Sequence, residues 1–109
     1  MSTFDAFFDN ILSASKDLAQ QTLQGFVAQA ESDATDFLNQ SKQQLNLWTD
    51  QLASGQLSSD EFKDLALGLK DLALMHALTQ AGVAAATAQR FRDAVIKLVI
   101  DTAFKTFLP

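Results

Sequence analysis

Few side chains in this 109-residue sequence could carry chemistry, because it contains no Cys and only one His. Without Cys it has no disulfide, no thiolate metal ligand and no Cys nucleophile. His76 has no Glu-x-x-His pairing or similar spacing that would surround a metal with carboxylates. Ser58 and Ser59 are explained by a helix cap, and there is no glycine-rich phosphate loop. We therefore predict that the protein is not an enzyme and has no catalytic residues, metal ligands or cofactor.

The densest acidic group comprises Glu31, Asp33 and Asp36. Asp33 and Asp36 lie three residues apart and would share a helix face, so weak cation binding is an alternative to the favoured interpretation of a solvated acidic face. His76 is expected level with this group, where pairing with Glu31 or Asp33 could set register or respond to pH. A structural role is the favoured interpretation for His76.

The sequence is acidic, with 13 acidic and 8 basic residues and a net charge of −5. Residues 1–55 carry seven acids and two bases, whereas residues 56–109 carry six of each. Such a distribution lacks the basic patch that nucleic-acid binding requires. Arg90 and Arg92 flank Phe91 and could contact an acidic partner, but a buried Phe between solvated arginines is favoured. We expect no nucleic-acid partner.

The elements that position these residues are predicted to be long helices, because the sequence has four Gly and its one Pro is Pro109. A first helix is expected over about residues 3–53, capped by Ser2 with Asp5 and ended near Gly55. Its apolar and small residues recur every three or four positions. They are Phe4, Phe8, Ile11, Ser15, Leu18, Thr22, Phe26, Ala30, Ala34, Phe37, Ser41, Leu45, Trp48 and Leu52.

A second helix is predicted over about residues 59–107, after a turn at about 54–58. Ser58 and Glu61 have the spacing of a capping box, and Leu57 and Phe62 that of a hydrophobic staple. Each helix would contain about 48 residues and extend about 70 Å at 1.5 Å per residue. The alternative is a three-helix chain that breaks near Gly82.

These elements predict an all-α fold, with residues 1–109 forming one domain, a long antiparallel helical hairpin that assembles into a multi-helix bundle. In such a hairpin the aromatic residues near the two termini should meet. They are Phe4, Phe7 and Phe8 on the first helix, and Phe104 and Phe107, followed by Leu108, on the second.

The second helix has two apolar faces, and one antiparallel neighbour can cover only one of them. The first face holds Phe62, Leu65, Ala66, Leu69, Leu72, Ala73, Phe91, Val95 and Leu98. The other is the predicted oligomer interface, comprising Leu67, Leu74, Leu78, Ile96, Ile100 and Phe107, with Ala103 beside them. Alternatively, Leu67 and Leu74 are scattered surface leucines, or a three-helix monomer covers both faces.

The resulting hypothesis is a self-assembling structural or adaptor protein that mediates protein–protein interaction. Its partners are expected to be copies of itself, in a dimer or larger homo-oligomer, or another helical protein. The alternative is an amphipathic protein that binds a lipid or membrane surface, motivated by the Phe-rich ends and opposed by the acidic charge. We expect a cytoplasmic location, because neither a signal peptide nor a transmembrane segment is evident; export by a route without a signal stays open.

Overall fold

In the computed structural model, which describes residues 2–108, the chain is all-α, and that range contains no strand. The helices are α1 (Thr3–Thr22), α2 (Val27–Ala53), α3 (Ser59–Gly68), the short α4 (His76–Gln80) and α5 (Ala85–Phe107). A 3-10 turn at Leu69–Leu72 follows α3. The molecule measures 43 × 26 × 20 Å.

The chain folds into four helical segments, which we call legs, and consecutive legs run antiparallel. The first leg is α1 and the second is α2. The third consists of α3, the 3-10 turn and α4, and the fourth is α5. The ring centroids of Phe7 and Phe107 lie 5.3 Å apart, so the start of α1 lies beside the end of α5. The rings of Phe62 and Phe104 lie 5.9 Å apart, so α3 begins beside the end of α5. The expected meeting of aromatic residues near the two termini is therefore present in the Phe7–Phe107 pair.

The prediction of one helix over residues 3–53 is wrong, because the chain turns between Thr22 and Val27. Gly25 has a φ of +90° there, a conformation that Gly adopts without steric cost. The apolar spacing does not reveal this turn, because Leu23 is buried and Phe26 half-buried within it. The periodicity therefore continues through residues whose backbone is not helical.

The prediction of one helix over residues 59–107 is also wrong. The alternative break near Gly82 is present, with a φ of +89°, but α3 already ends at Gly68. Met75, with a φ of +51°, adopts the left-handed conformation that non-Gly residues rarely take. A continuous helix would be about 70 Å long, whereas the longest dimension of the molecule is 43 Å. The breaks allow the legs to cover one another.

The predicted turn at 54–58 and the helix start at Ser59 are confirmed, with α2 ending at Ala53. Glu61 donates its backbone N–H to Ser58 Oγ over 3.1 Å, and its Oε1 accepts the Ser58 N–H over 2.9 Å. The backbone hydrogen bond from Ser58, followed by that of its side chain, lowers the pKa of Glu61. The ionised Glu61 side chain therefore stabilises the fold at pH values above the ordinary pKa of Glu. This stabilisation is lost as the pH falls through the lowered pKa.

Apolar packing rather than polar pairing joins the four legs. Buried Phe, Ile, Leu and Val side chains from α1, α2, α3 and α5 form one core. Within residues 2–108, side-chain hydrogen bonds between residues more than four apart are made only by Asp33. The ion pair found in that range, Arg92 with Asp93, joins adjacent residues. The hydrophobic effect therefore provides most of the stabilisation between legs.

Among residues 2–108, two buried hydroxyl groups have no hydrogen-bond partner, Ser15 Oγ and Ser41 Oγ. Burying a hydroxyl without a hydrogen bond costs about 1–3 kcal/mol in proteins. We expect Ser15→Ala to raise the free energy of unfolding by about 1 kcal/mol, measured by urea denaturation. Ser13→Ala, on the exposed side of α1, is the matched control for the higher helix propensity of Ala. Lower stability in Ser15→Ala than in Ser13→Ala would contradict the unpaired assignment.

Candidate interaction surface

His76 lies level with Asp33, as expected, but the two side chains do not pair. His76 begins α4 and is exposed, whereas Met75 is buried beside it. The expected pairing assumed a continuous helix, whereas the backbone at 73–75 is irregular. Asp33 does lie level with this segment, but it bonds to the backbone there.

Asp33 instead caps a helix in another leg. Its side chain is 6% exposed, and its two carboxylate oxygens accept the N–H groups of Ala77 and Leu78, each over 2.9 Å. These N–H groups belong to the first turn of α4, which has no other partner for them within the helix. Met75, the residue before α4, has no side chain that could cap it. Asp33 therefore supplies from α2 the cap that the local sequence lacks.

The acidic group does not assemble into a metal site. Asp36 is exposed and Asp33 is occupied by α4, so the two carboxylates do not converge. Within the described range, no three His, Asp or Glu side chains come together as a metal would require. Asp33 is therefore engaged in capping α4.

The Arg-Phe-Arg segment follows the favoured interpretation at Phe91 and Arg90, whereas the Arg92 side chain is only 23% exposed. Phe91 is buried in the core, and Arg90 Nε donates to the Ala86 carbonyl over 3.4 Å. Arg92 Nη2 lies 3.0 Å from Asp93 Oδ1. The two guanidinium groups thus interact with their own helix, and Phe91 contributes to packing.

The predicted oligomer interface divides into buried and exposed residues. Leu78, Ile96 and Ile100 are buried within the chain, and Phe107 is half-buried against Phe7. The four-leg fold covers them, which the two-helix hairpin could not. The premise that this whole face is uncovered in one chain is therefore wrong. Leu67 and Leu74 remain in solvent, 44% and 62% exposed.

Exposed large apolar side chains concentrate near the end of α3. Within residues 2–108 there are six, and four of them lie between positions 65 and 74. The full set is Leu47, Leu65, Leu67, Leu72, Leu74 and Leu108. Leu65 and Leu72 were expected in the buried face, but they are 38% and 41% exposed.

Leu67, in α3, and Leu74, after the 3-10 turn, each border a groove that residues of α5 also line. Leu67 lines a groove of about 320 Å³ between α3 and α5, together with Ile100 and Phe104. Leu74 lines a second groove of about 320 Å³ with Gln89 and Arg92 of α5. We call the surface formed by Leu67, Leu74 and the α5 residues that line these grooves the α3–α5 face.

The groove on the other side of α5, against α1, is a weaker candidate. Its two sections have volumes of about 300 and 330 Å³ and share Ala94. Leu23 and Phe91 in it are buried, and Leu18 and Leu98 are half-buried. No fully exposed large apolar side chain borders it among residues 2–108. The α3–α5 face is therefore the better candidate for a docking surface.

Two further findings bear on function. Among residues 2–108, no helix is long and apolar enough to cross a membrane. Comparison of the chain with protein-family models, with curated proteins and with solved structures finds no match. The functional argument therefore depends on the chemistry of the α3–α5 face itself.

Proposed function

We propose that this protein is a non-enzymatic, self-assembling structural or adaptor protein whose copies associate through the α3–α5 face. The observation that carries the proposal is the exposure of Leu67 and Leu74, each of which borders a groove beside α5. Single exposed leucines are ordinary on protein surfaces, but two that border successive grooves of one helix favour an interface.

The charge distribution favours a second copy as the partner on this face. The chain has a net charge of −5, and residues 1–55, which include α1 and α2, carry the whole excess. Residues 56–109 contain six acids and six bases, so α3 and α5 belong to a half that is neutral overall. Two copies that meet through α3 and α5 therefore keep most of the excess acidic charge, which α1 and α2 carry, away from the centre of the contact.

The size of the apolar contact predicts modest affinity. A two-fold dimer would cover four leucines, each contributing at most about 1.5–3 kcal/mol. Association itself costs about 4–15 kcal/mol. The leucines alone can therefore only about balance this cost, and the surrounding grooves must supply the surplus. We expect association in the micromolar range, about −8 kcal/mol.

Leu67→Asp combined with Leu74→Asp is expected to weaken self-association at least tenfold, because four charges, two from each copy, would enter the apolar contact. Sedimentation velocity over a concentration series measures the change. Leu47→Asp is the matched control, because Leu47 is 54% exposed on α2 and lines neither groove of the α3–α5 face. Equal association of the double variant and wild type would rule out this face as the contact.

The lipid-surface alternative is less favoured, because the rings that motivated it are used in packing. Phe4, Phe7 and Phe8 are buried, and Phe7 packs against Phe107. Lipid binding through these rings would require the bundle to open. Flotation of the wild-type protein with neutral or anionic vesicles, without self-association, would support the alternative.

A further inference from the structure

A row of charged residues alternates in sign along the exposed side of α5. Asp93, Lys97, Asp101 and Lys105 follow at intervals of four residues, and all four are exposed. Residues four apart form one continuous ridge on a helix surface. We call these four residues the α5 ridge.

Grooves flank this ridge on both sides. Lys97 and Asp101 line the groove between α3 and α5, beside Leu67. The same two residues line the groove between α1 and α5, beside Leu98. The α5 ridge therefore stands between two partly apolar depressions, so apolar surface borders the charged row on both sides.

The ridge charges are not engaged within the chain in the way their spacing would allow. Opposite charges four residues apart commonly pair on a helix. In the described residues, however, no ion pair joins two members of the ridge, and Asp93 contacts Arg92 instead. Lys97, Asp101 and Lys105 therefore have charged groups available for a partner.

The order of the charges matches an antiparallel copy of itself. When two α5 helices run in opposite directions with the two-fold axis level with Val99, Asp93 of one copy lies opposite Lys105 of the other. Lys97 then lies opposite Asp101 of the second copy, and each relation occurs twice. A two-fold contact needs a self-complementary patch, and an alternating row of four charges satisfies this condition in the antiparallel direction alone.

We infer that copies of this chain pair through an antiparallel, two-fold packing of α5 on α5, with each ridge charge opposite a charge of opposite sign. This inference rests on the proposed self-assembly and specifies its geometry. Leu67 lines its groove with Lys97 and Ile100, so it lies beside the centre of the contact. Leu74, near Arg92, comes level with the end of α5 in the second copy.

The test uses two full-length variants with opposite charge reversals. Lys97→Glu with Lys105→Glu makes the ridge entirely acidic, and Asp93→Lys with Asp101→Lys makes it entirely basic. Each variant alone is expected to self-associate at least tenfold more weakly than wild type, because like charges then face each other. An equimolar mixture is expected to recover association as a one-to-one heterodimer, measured by sedimentation velocity and native mass spectrometry.

A matched control separates the ridge from net charge. Lys16→Glu with Lys42→Glu changes the net charge as much as the acidic ridge variant does, at exposed positions that line neither flanking groove. This control is expected to associate within about twofold of wild type, because exposed charges beyond a Debye length of about 8–10 Å are largely screened.

The possible results separate the two proposals. Recovery only in the mixture supports the antiparallel α5 contact. Undiminished association of both ridge variants, or loss without recovery in the mixture, overturns that contact but leaves the proposed self-assembly standing if wild type associates. A wild-type protein that is monomeric throughout overturns the proposed function itself.

Discussion

Replacing Asp33 with alanine is expected to lower the free energy of unfolding by about 2–4 kcal/mol. The carboxylate accepts the N–H groups of Ala77 and Leu78, and both would lose their partner. A buried donor left without a hydrogen bond costs about 1–3 kcal/mol. Urea denaturation measures the change. Asp36→Ala, at an exposed position of the same helix, is expected to change stability by less than about 0.5 kcal/mol.

Amide hydrogen exchange locates the effect of the Asp33 substitution. A five-residue helix is too short to be stable without tertiary support, so α4 should lose protection first when its cap is removed. We expect faster exchange at Ala77 and Leu78 in Asp33→Ala, with α1 less affected. Asp33→Asn, which keeps one acceptor oxygen, should give an intermediate result. Unchanged exchange at both amides would contradict the capping role.

Replacing Phe62 with alanine is expected to cost about 3–5 kcal/mol, the usual range for deleting a buried ring. Phe62 is fully buried, and its ring lies 5.9 Å from that of Phe104. The substitution would leave a cavity where α3 meets α5 and remove the aromatic contact between them. Denaturant unfolding followed by circular dichroism measures the loss.

Leu65 provides the comparison for Phe62, because it lies on the same helix and is partly exposed. Leu65→Ala is expected to cost less than about 1 kcal/mol. Similar losses in the two variants would mean that α3 does not pack on α5 as described. Because the α3–α5 groove includes Leu67 and Phe104, Phe62→Ala should also weaken self-association by loosening this groove.

The parts of the fold that could be predicted are those with a local chemical signal. Helical spacing indicates the all-α class, and Ser58 with Glu61 marks the start of α3. The turn at Gly25 has no such signal, because Leu23 and Phe26 preserve the apolar spacing across it. Whether a helix continues through one Gly is decided by tertiary packing, since Gly costs only about 1 kcal/mol.

The candidate surface could be predicted only in part, again because the sequence shows local patterns and not where the chain turns. A helical wheel identifies Leu67 and Ile100 as neighbours on one face, and both line the α3–α5 groove. It cannot tell that Leu78, Ile96 and Ile100 are covered by other legs of the same chain, because that depends on where the chain turns. The self-association itself stays a prediction.

The sequence does contain a signal for the structural role of Asp33, namely its position among the buried residues of α2. Asp33 comes three residues after Ala30, next to Ala34, and four residues before Phe37, all of which are buried. A charged residue at such a position needs a partner, since burying it alone is costly. The partner is the backbone of α4, whose existence depends on the break at Met75, and no local pattern marks this break.

Sedimentation equilibrium of the wild-type protein over a wide concentration range tests the central claim most directly. We predict that the average mass rises from 11.9 kDa towards twice that value as the concentration passes through the micromolar range. A mass that stays at 11.9 kDa far above that range would contradict the claim that Leu67, Leu74 and the charged residues of α5 form a contact between copies.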